Sequence, residues 1–347
     1  MKKTVAQTTM IFLISICIAA CSITYRDAQN IVLKAHNSYK VAIGKASGDQ
    51  SYQKELEKSG ELLEEAQSAL EQKYKTMAWM NAAKSIGYSQ EVIREIYKKS
   101  LIPETKTAIQ KIKEIVKKEP DSPLKDLIPK LEDVLTYSER VIQGEELDDL
   151  EKEAEKHIEI VETSNDNIQY SDDLKETTAS DVSFDTGKYR LTNRRKRLFE
   201  QTYSRFINKV INIKNEFTKK YPDRKILLKI KVIGYTDEAG FQEGTRLIGH
   251  LEDGIKKSEI PRRNPERRKF LNKRLSVFRA RTIGEYLKEL ILKSESGGSN
   301  LKIKQEIIGR GEEIPPGVDA PYNITDSRRR ICKIFSMLSV QTEPDKR

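Results

Sequence analysis

Hydrophobic periodicity is helical throughout the first half of this chain of 347 residues and mixed in the second, and that difference constrains the fold more than any other feature. Up to about residue 162 the apolar positions recur at helical spacing; beyond about residue 180 alternating runs and helical stretches take turns. Ala28, Ala35 and Ala42 are seven residues apart, and Val32, Tyr39 and Ala46 fill the same stripe. Leu56, Leu63, Ala66 and Leu70 repeat the pattern in a second segment, which extends through Trp79 and Ala83 toward Ile96. Pro103, Pro120, Pro123 and Pro129 punctuate the next stretch and leave helices near 104–118 and 124–142. Proline in a first helical turn suits each start. A charged helix at about 145–161 closes the region. Small residues along the seams permit close approach, so antiparallel helical hairpins are expected. Residues 163–180, "TSNDNIQYSDDLKETTAS", have few apolar positions and no period, as a linker does.

Beyond the linker, Val182-Ser183-Phe184 alternate and Asp185-Thr186-Gly187 signal a turn. Thr192 or Asn193 can cap a helix carrying Phe199, Tyr203, Phe206, Val210, Ile213 and Phe217 on one face. Pro222 and Asp223 break it. Ile226, Leu228, Ile230 and Val232 alternate with Leu227, Lys229 and Lys231, giving a strand that ends at Gly234. A second helix around 272–293 has Ala280, Ile283, Leu287 and Leu290 on one face, and strands follow at Leu301–Ile307 and Ile331–Ser336. The expected fold class is therefore α+β: an all-helical region at 22–162, then an α/β sandwich at 181–340 with two helices on a mixed sheet.

Charge and compartment bound the partners. The formal net charge is +10, which favours anionic partners. Lys2 and Lys3 precede an apolar run from Met10 to Ala20, too short to span a bilayer, as in a secretory signal at 1–20. Ile18-Ala19-Ala20-Cys21 resembles the lipobox of bacterial lipoproteins. That resemblance implies cleavage before Cys21 and its acylation, as with palmitate; an uncleaved anchor is the alternative. Ser22 in place of an aspartate resembles outer-membrane sorting, with the chain facing the periplasm. Losing two lysines with the signal leaves 10 − 2 = +8. Export argues against nucleic acid as a partner. Cys332 would then be the last free cysteine, so no disulfide framework forms and a small buried hydrophobe is expected there.

Five motifs in order carry a more specific resemblance. They are "VSFDTG" at 182–187, "IGYTDEAG" at 233–240, "NKRLSVFRA" at 272–280, "GRGEEIPP" at 309–316 and "RRRICKI" at 328–334. Together they resemble the OmpA-like peptidoglycan-binding domain over about 180–340. The resemblance implies binding of the peptide stem through its diaminopimelate residue. Asp237 would take the ligand's amine and Arg279 its carboxylate, with Thr236, Asn272 and Arg329 lining the same site. The residue chemistry agrees. An ionised aspartate only accepts hydrogen bonds and suits an ammonium, and an arginine fork suits a carboxylate. Asn272 and Arg279, seven residues apart, fall on one helix face. One departure stands out. Residues 241–271, between Gly240 and Asn272, exceed the family's usual short loop and hold a basic run, Arg262, Arg263, Arg267, Arg268 and Lys269. A second basic run spans Arg194, Arg195, Lys196 and Arg197.

No catalytic set is visible, so an enzyme is not expected. His36, His157 and His250 lie in separate segments without metal-ligand spacing, and no cofactor motif occurs. The expectation is a lipid-anchored tether between outer membrane and cell wall, with an envelope protein as a possible partner of the helical region. The alternative is a surface-exposed adhesin that uses that region.

Overall fold

Alanine and serine seams build the first half of the chain. The computed structural model describes residues 23–46, 50–145, 149–179, 184, 188–222, 224–295, 301–319 and 321–341. The expected signal, Cys21, the dipeptide at 182–183 and the turn at 185–187 lie outside these residues. Among the described residues no helix is long and apolar enough to cross a membrane.

Helices α1 (Tyr25–Ala46), α2 (Gln53–Glu71) and α3 (Lys75–Ile96) pack through Ala28, Val32, Ala35, Leu63, Ala66, Ala78 and Ala82. Side chains this small let helix backbones approach closely. Ser59 adds a polar knot, its hydroxyl lying 3.0 Å from that of Ser85 and 2.8 Å from that of Ser89. The segment expected to run on toward Ile96 is broken by a turn. Lys73 has φ +66°, and α3 restarts at Lys75 with Ala78, Ala82, Ser85 and Ser89 as its buried stripe. Trp79 and Ala83 sit beside that stripe, half-buried.

The expected break at Pro103 is absent. A π turn at Tyr97–Leu101 leads into α4 (Ile102–Lys118), and the Ile102 amide donates to the Tyr97 carbonyl. The wider turn accommodates a proline without ending the helix. Helices α5 (Ile128–Ile142) and α6 (Leu150–Gln169) follow.

Two compact units divide the chain: 1–107 with 129–161, and 108–128 with 162–347. The second unit thus takes part of the region expected to be a separate helical domain. Residues 163–180 are also more structured than a linker. Helix α6 runs to Gln169 and strand β1 occupies Lys175–Ala179. Asn167 explains why the sequence hides this. Its side-chain amide donates to the Leu338 carbonyl at 2.6 Å and accepts from the Leu338 amide at 2.9 Å. Polar bonds rather than an apolar stripe hold the segment, so hydrophobic period carries no trace of it.

The second unit is a four-stranded mixed sheet with two helices on one face. Thr192 caps α7 (Asn193–Lys220) by accepting from the Arg195 amide. Strands β2 (Lys225–Tyr235), β3 (Leu301–Gly311) and β4 (Ile331–Gln341) join β1 in the order β1-β4-β2-β3. Strand β2 runs parallel to β3 and antiparallel to β4, which pairs antiparallel with β1. A parallel pair needs a crossover, supplied by α9 (Glu266–Ser294) after a short helix α8 (Arg246–Glu252). Of the opening strand expected at 182–184 only Phe184 is among the described residues, and it is buried and not assigned to a strand, while β1 pairs with β4. Ile226, Leu228, Ile230 and Val232 meet Phe199, Tyr203 and Phe217 of α7 and Ile283, Leu287 and Ile291 of α9. Cys332, fully buried, joins the same core.

The other sheet face carries Ile233, Tyr235 and Phe335 and a row of charges. Residues 119–126 lie against it. Asp121 accepts from the Tyr235 hydroxyl at 2.9 Å and pairs with Arg310, while Glu119 takes Lys333 at 2.9 Å and Asp126 takes Lys229 at 2.6 Å. Burial would raise the Asp121 carboxyl, but hydrogen bonds from Arg310 and Tyr235 hold it below its ordinary value.

Candidate functional site

Two glycines decide how closely α9 approaches the sheet. A Cβ on Gly234 would stand 2.3 Å from the Ser276 carbonyl oxygen, and one on Gly309 would stand 2.5 Å from the Ser276 hydroxyl. Both gaps are below any real contact, so the strand ends accept the helix only where side chains are missing. Gly234 and Gly309 are partners in the parallel register, and the pairing slips immediately afterwards. The Thr236 amide then donates to the Gly311 carbonyl at 2.7 Å, and the Ser276 hydroxyl accepts from the Gly311 amide at 2.9 Å. The end of β2 is thereby fixed beside the early turns of α9.

Asp237 opens the turn after β2. Its Oδ1 accepts from the Ala239 amide at 3.1 Å, a local bond typical of aspartate at turns. Asn272 donates to the Ala239 carbonyl at 3.3 Å and to Glu312 Oε1 at 2.8 Å, which ties the turn to the helix. Asn272 does not cap α9, which starts six residues earlier, at Glu266. Arg279, two turns on, donates from Nε to the Lys188 carbonyl at 3.1 Å and lies over the Phe184 ring.

These side chains meet in one cavity of about 460 Å³, lined by Thr236, Asp237, Asn272, Arg279 and Arg330 among others. Four of the five residues singled out in the sequence are therefore brought together. The fifth, Arg329, is not a lining residue. It is 1% exposed and donates to Glu238 Oε1 at 2.7 Å and to the Glu312 carbonyl at 2.6 Å, under the Tyr322 ring. The hydrogen bond from Arg329 holds the Glu238 carboxyl below its usual value. Arg268 joins the same network, reaching Glu312 at 2.8 Å and Glu238 at 3.3 Å. Arg329 thus braces the turn from behind, and its neighbour Arg330 faces the cavity with Nε 3.6 Å from Asp237 Oδ2. Three consecutive arginines gave no periodic signal to say which one points inward.

Two buried oxygens in this site make no hydrogen bond: Thr236 Oγ1 and Asp237 Oδ2. Buried polar atoms are nearly always paired, so each needs a reason. Around one carboxylate, Asp237, the cavity gathers four basic side chains, Lys188, Arg246, Arg279 and Arg330. Chemically the arrangement can pair an ammonium with the one carboxylate and anionic groups with the basic side chains. Among the described residues no cluster of His, Cys, Asp and Glu could hold a metal ion.

The 241–271 stretch, which carries none of the five motifs, forms one wall. Phe241, Gln242, Thr245 and Leu247 line the cavity. Ile248 and Leu251 of α8 pack on Leu271 and Leu275 of α9 in a small apolar cluster of their own. Arg274 locks this by donating to the Leu251 carbonyl at 2.9 Å and the Asp253 carbonyl at 3.1 Å. Of the basic run, Arg267 pairs with Glu252 at 2.8 Å and Arg268 is held by Glu312 and Glu238, while Arg262, Arg263 and Lys269 are exposed.

No protein-family model matches the chain, and no curated protein matches it. Among solved structures, a MotB-like protein from Desulfovibrio vulgaris is similar over 49% of this chain and 75% of its own, at 16% identity and a TM-score of 0.23. At that score the likeness carries no weight for fold or function.

Proposed function

We propose that the C-terminal unit binds peptidoglycan by the amino-acid end of diaminopimelate in its peptide stem. The observation that carries this reading is the pair of oxygens without a hydrogen bond, Thr236 Oγ1 and Asp237 Oδ2, in a cavity that also holds Arg279. An entering ammonium satisfies the Asp237 carboxylate and the Thr236 hydroxyl together. It takes the place that Arg330 holds at 3.6 Å. The ligand's carboxylate pairs with the Arg279 fork. Hydrogen bonds to charged groups contribute about 1.5–3 kcal/mol each, so a few of them give affinity on the order of micromolar. A polymer with many copies of the end adds avidity.

In this reading the protein binds without turnover. Acylated Cys21 anchors it to the outer membrane, and the helical region spans part of the periplasm toward the wall. The test is sedimentation with purified peptidoglycan of wild type, Asp237→Ala and Arg279→Ala, each checked for folding by circular dichroism. Both substitutions should leave the protein in the supernatant. Folded variants that pellet like wild type end the reading.

A further inference from the structure

The cavity holds more positive charge than a zwitterion can use. A zwitterionic end offers one ammonium and one carboxylate, matched by Asp237 and Arg279. Arg330 already lies against Asp237. Lys188 and Arg246 remain, and neither side chain pairs with a carboxylate among the described residues. Both are exposed at the cavity wall, where an arriving anion meets them without displacing a carboxylate of the described residues.

Arg246 is not a loose surface charge. It opens α8, and that helix is held to α9 by fully buried Leu251, by Ile248 and by the two carbonyl bonds from Arg274. Phe241 and Leu247 flank it on the same wall. The long 241–271 stretch therefore sets Arg246 at the cavity wall, on a helix with its own apolar packing. Such a fork recognises carboxylate oxygens two at a time, and a carboxamide cannot reproduce that pair of acceptors.

We infer that Arg246, with Lys188 beside it, forms a second anion subsite that takes a further carboxylate of the same ligand. This rests on the proposed hold of Asp237 and Arg279 on the zwitterionic end. The ligand class is then an amine with at least two carboxylates, net anionic, rather than a neutral amino-acid end. In a stem peptide the further group is the free α-carboxylate of the acidic residue that precedes the diamino acid. Conversion of that group to a carboxamide removes the charge that Arg246 reads.

The test is calorimetric titration of the mature chain with two synthetic tripeptides that differ only in carboxylate or carboxamide at that position. Wild type should bind the acid about three- to tenfold tighter, the size of one partly exposed charge-assisted contact. Arg246→Gln should bind both peptides as wild type binds the amide. Lys188→Gln should reduce the preference without abolishing it. The side chains are exposed, so both variants keep the core intact. Equal binding of the two peptides by wild type, or an undiminished preference in Arg246→Gln, overturns the inference while leaving the zwitterion site standing. Asp237→Ala separates the two levels. If it binds both peptides like wild type, the zwitterion site fails and the second subsite falls with it.

Discussion

Single residues set both the reach of the site and its sensitivity to pH. Gly234→Ala places a methyl group 2.3 Å from a helix carbonyl, where only backbone movement relieves the clash. Overpacking of this kind costs about 1–3 kcal/mol, and moving α9 also moves Asn272 and Arg279 away from Asp237. Denaturant unfolding should show the loss, and peptidoglycan sedimentation should show a larger loss of binding than of stability. Asp121 gives a pH-dependent case. Its folded-state value is held below the ordinary 3.8, so its pairing contributes stability above that pH and loses it as pH falls through the folded value. Asp121→Asn should be less stable by about 1–3 kcal/mol at pH 7, and the difference should shrink as pH falls below the ordinary carboxylate value. His157 is lowered to about 4 by burial, beside the Tyr97 hydroxyl at 2.8 Å. It stays neutral in the fold while the unfolded chain takes up protons near 6.5, so stability is full above that pH and falls between about 6.5 and 4. Thermal melts of His157→Gln should be flatter than wild type across that window.

At the scale of elements, the stretch at 241–271 is a folded wall and not an extruded loop. Its apolar cluster depends on Leu251, which is fully buried. Leu251→Ala should cost about 2–4 kcal/mol and expose 241–265 to protease before the sheet unfolds. The exposed part of the basic run belongs to this element too. Arg267 and Arg268 hold carboxylates inside the protein, which leaves Arg262, Arg263 and Lys269 for an anionic polymer. Neutralising those three should lower wall binding and flatten its dependence on salt, because screening acts on exposed charge. Unchanged binding across 50–500 mM salt, about a threefold change in screening length, removes the polymer contact from consideration.

At the scale of the whole molecule, the surprise is which residues belong together. A cut at 180 separates helices from sheet by sequence pattern, yet 108–128 and 162–179 fold with the C-terminal unit. Lys333 is 5% exposed and relies on Glu119, and Arg310 relies on Asp121. A fragment of 181–347 should therefore melt well below one of 108–347, since removing one partner of a buried pair costs about 3–5 kcal/mol. Comparing the two melting curves checks this. The sequence by itself determined the α+β class and the apolar faces of α7, α9 and β2, which follow from periodicity, a property of neighbours along the chain. That Thr236, Asp237, Asn272 and Arg279 share a site is what the motif resemblance implies, and the four do line one cavity. Only the tertiary structure decided that Arg330 faces the cavity and Arg329 braces it, that Lys175–Ala179 forms a strand on β4, and that 241–247 walls the site. Each of these rests on polar bonds or packing between residues far apart in sequence, such as Asn167 with Leu338 or Arg274 with Leu251. A local pattern has no means of recording such partners, because the energy that selects them exists only once the elements have met.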